Sequence, residues 1–428
     1  MSKAARWIAV VLCVCALWAL GGCGAGESSS SASEYVGSSS SDKSGASSES
    51  SSGASLPVEP PKPVRPEKPF GFERLDPEQQ EMYRLLESGT ITEQAPYRFP
   101  AGMVETSEET HPMLVALRLY ELNHRTLSWR EPAYYARYNE SGEELDCVEA
   151  AIGFDNRGND AVMQERFDAA SAEWLSLLPG PEADDYTKLK AVAELLCERV
   201  SYNYPAAYGY GYDELTAEER EICRYTHSEY GALVNGSAIC TGYAAAFEYL
   251  CDQLGIYCLQ VRGDAGRNQS TVHVWNLVWL DGAYYYVDTT WMDNESGVWD
   301  YTYLLASEAQ LWSDHFYPHY ADTFGLEDDP FWRELLRLPV ADCDTGGYFD
   351  REGLRFETAE QAVAYLEREC AVGKSLQIQL TTEKEYYLAL HGIERILVSH
   401  GEDNNLVVRL TQENASARTL RVEGELYW

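Results

Sequence analysis

The chain has 428 residues, 69 of them Asp or Glu and 33 Lys or Arg, for a formal charge of −36. That length suits two or three domains with a sizeable core. The acidic surplus argues against a nucleic-acid binder, which needs clustered Lys and Arg to neutralise phosphates. It also argues against docking on anionic head groups through a basic patch. The 30 tyrosines and 11 tryptophans suggest aromatic-rich strands or an aromatic-lined groove, with ordinary core filling accounting for most of them.

In chain order, Lys3 and Arg6 precede an apolar run from Trp7 to Leu20, too short to span a bilayer comfortably and read as an export signal. The run closes on Leu20-Gly21-Gly22-Cys23, which resembles the lipobox of bacterial lipoproteins. The resemblance implies cleavage of residues 1–22, a diacylglycerol on Cys23, and a protein lipid-anchored on the outer face of the cytoplasmic membrane. A Gram-positive-type surface fits the long tether at 23–69, first Ser/Gly-rich and then Pro-rich (57–69). Contact with the membrane is expected through that anchor alone.

Folding is expected to begin near Phe70. Asp76-Pro77-Glu78-Gln79 is a helix start with Asp at the N-cap and Gln three residues on. Further helices are predicted over Pro112–Leu122 and Phe167–Leu178. A hairpin is predicted over Tyr134–Tyr138 and Leu145–Phe154. Asp185 to Val200 places Leu189, Val192, Ala193, Leu196 and Val200 on one helical face. At the far end Thr358-Ala359-Glu360-Gln361 opens another helix. Strands are expected at 376–380, Ile393–Val398, Leu406–Leu410 and Leu420–Tyr427. The expected organisation is α+β: an N-terminal domain over 70–180, a central one over 181–328 and a small C-terminal one over 329–428.

The chemistry concentrates between Tyr230 and Trp291. Cys240-Thr241-Gly242-Tyr243-Ala244 leads into a helical pattern of Ala244, Phe247, Leu250 and Leu254 that stops at Gly255. Cys240 therefore sits at a helix N-terminus, where amides and dipole stabilise a thiolate and offer a donor to an oxyanion. Gly242 lets chain or substrate approach closely. Two β-rich runs follow, Thr271–Leu280 and Ala283–Trp291, joined by Asp281-Gly282, a type I′ hairpin signal. With a two-residue turn Asp288 falls opposite Trp275, so His273 and Asp288 are diagonal neighbours on one face, within side-chain reach. A one-residue slip would move Asp288 to the other face. In register, the carboxylate holds the imidazole while the other ring nitrogen faces a thiol, a Cys240–His273–Asp288 arrangement.

These segments closely resemble the transglutaminase-like superfamily, the cysteine-nucleophile fold related to papain. The matching motifs are Cys240-Thr241-Gly242-Tyr243-Ala244, His273-Val274-Trp275-Asn276 and Val287-Asp288-Thr289-Thr290-Trp291. The resemblance covers about residues 181–305 and implies a helix bearing the Cys packed on an antiparallel sheet bearing the His and Asp. It further implies Cys240 as nucleophile, His273 as general base then acid, Asp288 as the orienting group, and acyl transfer through a thioester with no cofactor. Water as acceptor gives a peptidase or amidase acting on protein or cell-wall peptide; a lysine amine gives cross-linking; a silent binding module of the same fold is the third reading. Tyr230 and Asn235 are candidates for the second oxyanion donor, and Trp275 and Trp291 for walls of the site.

Other signals carry less. Leaving out Cys240, seven cysteines follow Cys23, an odd number that rules out a complete disulfide framework and leaves Cys251 with Cys258 as the nearest pair. No Cys-x-x-Cys or His-Glu-x-x-His spacing suggests zinc. His315 and His319 are separated by Pro318, Glu327-Asp328-Asp329 lacks the spacing of a calcium loop, and no metal is expected.

Overall fold

A computed structural model describes residues 66–426 apart from 68, 89–96, 99–111, 124–131, 142–143, 155–159, 267–270, 294–296, 313, 317–329 and 400–405. The export signal, Cys23, the Ser/Gly tether, His319 and Glu327–Asp329 lie outside the described residues.

The site-bearing sheet has five antiparallel strands in the order His315–Phe316, Cys258–Ala265, Thr271–Leu280, Ala283–Val287 and Leu304–Ala306. Its central hairpin turns at Asp281 (φ 51°) and Gly282 (φ 99°), a pair of left-handed residues that matches the right-handed twist of the strands. The register runs from Leu280 opposite Ala283 to Asn276 opposite Val287, the pairing a two-residue turn dictates. The second strand is shorter than expected. It stops at Val287, because Asp288 turns its carboxylate onto the amides of Thr290 (2.9 Å) and Trp291 (3.1 Å) and so caps the one-turn helix Thr289–Met292.

Helix Cys240–Gln253 packs on this sheet. Phe247, Leu250 and Cys251 are fully buried, and Gly255 (φ 75°) ends the helix as its position predicts. Two polar bonds tie helix to sheet: Asn276 Nδ2 donates to the Ala244 carbonyl at 3.0 Å, and Gln260 Nε2 donates to Glu248 at 2.8 Å. Helix Asp185–Arg199, capped by Asp184, lies alongside and buries Leu189, Val192, Ala193 and Leu196 completely. Each large apolar side chain among these is worth roughly 1.5–3 kcal/mol on burial.

Buried side chains from Phe70 to Phe349 form one continuous core, so the expected borders at 180 and 328 cut through packed structure. The capping box at Asp76 and Gln79 forms as read and starts helix Pro77–Glu87, which packs on Pro112–Asn123. The N-terminal hairpin runs longer than predicted, from Pro132–Ser141 to Glu144–Phe154, and helix Asp160–Leu177 starts ahead of Phe167.

A second core, from Ala359 to Val422, belongs to a four-stranded sheet carrying helices Ala359–Glu369 and Glu383–Ser399. The strand expected at Ile393–Val398 is part of the latter helix. Its β-branched residues suggested a strand, but burial falls on Tyr386, Ala389 and Ile393, a helical spacing that overrides local propensity. Among the described residues, Cys197, Cys223, Cys240, Cys251, Cys258, Cys343 and Cys370 are free thiols, so Cys251 and Cys258, each fully buried, do not pair.

Candidate active site

Cys240 is the first residue of its helix. The N-cap, Ile239, is extended and has no side-chain oxygen to cap with, whereas Asp184, Asn203, Thr216 and Ser228 all cap the helices they precede. Gly242 N and Tyr243 N donate to the Ile239 carbonyl at 2.9 and 3.0 Å, and no side chain caps the amides of Cys240 and Thr241, which an incoming anion could meet. Gly242 is what lets this helix start where it does. A Cβ there would lie 2.2 Å from the Thr226 carbonyl oxygen and 2.9 Å from Ala238 Cβ, while Ile239 N donates to that same Thr226 carbonyl at 2.8 Å. The close approach is therefore made by the chain itself. Gly242→Ala is expected to cost about 1–3 kcal/mol through overpacking and to slow alkylation of Cys240 by displacing it. An unchanged melting temperature with an unchanged alkylation rate would show that the contact does not position the thiol.

His273, on the middle strand of the sheet, is buried, and Cys240 lies within interaction range of its ring. On the other side Nε2 meets Asp288 Oδ2 at 2.6 Å, which leaves Nδ1 for the thiol. Burial works against a charged imidazole here, but the Asp288 carboxylate beside it outweighs burial and, with the Cys240 contact, pushes His273 up to about 10. Asp288 is held well below the usual carboxylate range: burial would raise it, and the charges and hydrogen bonds of His273 and His315 win.

No sequence pattern marks His315 as a site residue. It lies on the short edge strand His315–Phe316, paired with Ala265 and Asp264, and its Nε2 reaches the same Asp288 Oδ2 at 2.8 Å. Its Nδ1 lies 2.7 Å from Asp314 Oδ1, and Tyr303 donates its hydroxyl to Asp314 Oδ2 at 3.0 Å. An imidazole with a carboxylate on each nitrogen satisfies both only as imidazolium. Burial opposes that charge, and the bonds to Asp288 and Asp314 raise His315 nonetheless. Asp288 consequently accepts four donors, two imidazoles on Oδ2 and two amides on Oδ1. A carboxylate has about four lone-pair sites, so it is saturated and fixed. Gly263 admits the edge strand: a Cβ there would lie 2.2 Å from the Phe316 carbonyl oxygen.

The two tryptophans proposed as walls pack on these histidines. The Trp275 ring stacks on His273 at 6.0 Å and meets His315 at 5.1 Å, and Trp291 lies 5.8 Å from His273 and 4.8 Å from His315. Tyr230 is a buried ring between Phe167 (6.4 Å) and Tyr225 (5.3 Å), and Asn235 ends helix Glu229–Asn235 ahead of Gly236. A half-buried cation, Arg262, lies within electrostatic reach of Cys240; burial lowers it, and Cys240 and Asp264 oppose that shift.

His273, Asp288 and His315 offer three ligand atoms within 4.8 Å of one another, a donor set that a metal ion accepts. The spacing favours protons instead. Around tetrahedral zinc at ~2.05 Å, neighbouring ligand atoms stand about 3.3 Å apart, whereas here both imidazole nitrogens sit on one carboxylate oxygen at 2.6 and 2.8 Å.

Residues 177–289, within the mixed α+β fold, match the family model of the transglutaminase-like superfamily. Mouse kyphoscoliosis peptidase is 28% identical over 152 residues, covering 31% of this chain and 21% of that protein. Its human counterpart is 26% identical over 149 residues with the same coverage. The chain thus spans about a fifth of the length of these curated relatives. Among solved structures, a TGase (15% identity, 38% of this chain, 45% of that one) aligns with a TM-score of 0.25. A chain from Cytophaga hutchinsonii described as a candidate cysteine protease (11% identity, 37% and 65%) aligns with a TM-score of 0.22.

Proposed function

We propose that the transglutaminase-like domain makes this protein a cysteine hydrolase of peptide or isopeptide amides, held at the outer face of a bacterial cytoplasmic membrane by lipid on Cys23. The observation that carries the reading is the single imidazole of His273, within interaction range of Cys240 and 2.6 Å from a saturated, buried carboxylate. In the first half-reaction His273 already holds the proton given up by Cys240, and Cys240 Sγ attacks the amide carbonyl carbon. The developing oxyanion meets the uncapped amides of Cys240 and Thr241 at the helix start. His273 then gives the proton to the amine nitrogen as the C–N bond breaks, leaving a thioester. In the second half-reaction water adds, His273 takes its proton, and the C–S bond breaks to release the acid and restore the thiolate.

Asp288 holds the ring so that these transfers occur through one nitrogen. Hydrolysis is the proposed fate because a site exported on a tether faces abundant water. The test is a profluorescent peptide panel with and without a primary amine. Release of fluorophore without amine, with at most a modest change on adding it, supports the hydrolase; product that forms only when amine is present makes the protein a cross-linking enzyme instead.

A further inference from the structure

Beside the nucleophile runs a ladder of tyrosines that the reaction does not use. Strand Ser201–Tyr202 pairs in parallel with Ser237–Ala238, Tyr202 opposite Ala238, which sets Tyr202 beside the chain two residues ahead of Cys240. The Tyr202 ring stacks at 6.5 Å on Tyr243, a fully buried residue of the Cys240 helix, and meets Tyr204 at 5.1 Å. The line continues outward, Tyr204 to Tyr208 at 6.2 Å and Tyr208 to Tyr210 at 5.9 Å, each pair stacked. Exposure rises along it, from 45% at Tyr204 and 51% at Tyr208 to 73% at Tyr210. Among the described residues most large apolar side chains are buried, so three neighbouring rings turned to solvent on a line leading out from the nucleophile form a surface built to be covered.

The chemistry of what covers it follows from charge. In the chain directly after the ladder come five exposed carboxylates, Asp213, Glu214, Glu218, Glu219 and Glu221, of which Glu219 is turned onto Thr216 as a helix cap, against two guanidiniums. One guanidinium, Arg220, is turned onto the carbonyls of Asp213 and Leu215, and the other, Arg224, pairs with Glu221 at 3.3 Å. An aromatic face attracts a cation within ~6 Å of its ring centre, and an acidic rim adds to that attraction. The spacing also fits an extended peptide. Side chains on one face of such a peptide recur every ~6.7 Å, close to the 5.9–6.2 Å between the outer rings.

We propose that the Tyr204–Tyr208–Tyr210 ladder and its acidic rim form a subsite for a lysine- or arginine-rich extended segment of the peptide whose amide Cys240 attacks. As a substrate subsite it rests on Cys240 being the nucleophile; as a binding surface it does not. The closing experiment therefore separates the two. Binding to the full chain carrying Cys240→Ala is measured by fluorescence anisotropy with three labelled probes: an alternating Lys/Gly hexapeptide, its Glu/Gly counterpart, and an oligosaccharide of N-acetylglucosamine. The lysine peptide is expected to bind at least ten-fold more tightly than either other probe. Its affinity should weaken with added salt and fall at least ten-fold in the Tyr204→Ser/Tyr208→Ser/Tyr210→Ser variant. Because these rings are exposed, the melting temperature should hold, and if it does not, Tyr210→Ser alone reads the same loss. Equal binding of the two peptides, tighter binding of the saccharide, or full affinity in the tyrosine variants overturns the proposal. Lysine-peptide binding that holds while the wild-type chain cleaves no lysine-flanked amide leaves the surface standing and removes the proposed reaction.

Discussion

Cys240→Ala is expected to lower amide turnover by at least ~10⁴-fold, because loss of a catalytic nucleophile removes the covalent route and leaves only binding and oxyanion stabilisation. The fold should tolerate the change: Cys240 is half-buried and its helix is anchored by Phe247, Leu250 and Asn276, so the melting temperature should stay within a few degrees. His273→Ala should fall to nearly the same floor, and the double variant no lower, since two groups acting on one proton are not additive. The single variants differ in a second readout. With His273 removed, alkylation of Cys240 by iodoacetamide should slow at least ten-fold at neutral pH, because the thiol loses its proton acceptor, whereas alkylation of Cys223 and Cys343, also partly exposed, should not change. Turnover surviving in Cys240→Ala would end the nucleophile assignment. Alkylation of Cys240 indifferent to His273 would make a silent module of this fold the better account.

The residues that name the chemistry were legible because each rests on a local rule. A helix start is marked by the pattern from Cys240 to Gly255, and the Asp281-Gly282 turn fixes a register that needs no knowledge of the rest of the fold. What the sequence hid depends on contacts distant along the chain. His315 joins the site through a two-residue edge strand that pairs with Ala265 and Asp264, a pairing no local pattern announces. The role of Gly242 is likewise settled by a carbonyl sixteen positions upstream, that of Thr226. Ile393–Val398 misled in the opposite sense. Its β-branched side chains are a strand signal over six residues, and only the longer window back to Tyr386 shows the helical period. Across the border expected at 180, helix Asp160–Leu177 donates Phe167 and Trp174 to the same core as the Cys240 helix, a contact no local pattern announces.

Asp288→Asn is expected to be the most damaging substitution that keeps the shape of the site. The wild-type carboxylate accepts four hydrogen bonds. An amide in its place can accept on one side only, so its NH₂ must face either two imidazole N–H groups or two backbone N–H groups, and donors would meet donors. Breaking a buried, hydrogen-bonded ion pair in this way costs about 3–5 kcal/mol, and an imidazole with its orienting partner inverted loses activity by roughly 10²–10⁴-fold. The pH dependence gives the sharper signature. His273 is raised from 6.5 to about 10, so its contribution is full below about 6.5 and is lost as pH rises through about 10. Asp288 is lowered from 3.8, so its contribution is full above that value and is lost as pH falls through the depressed one. The gap in melting temperature between wild type and Asp288→Asn should therefore be widest between pH 3.8 and 6.5 and shrink steadily toward pH 10. A gap that widens from neutral to alkaline pH would mean that Asp288 is not paired with a protonated His273. The charge paired with Asp288 would then have to sit on His315, the other imidazole on the same oxygen.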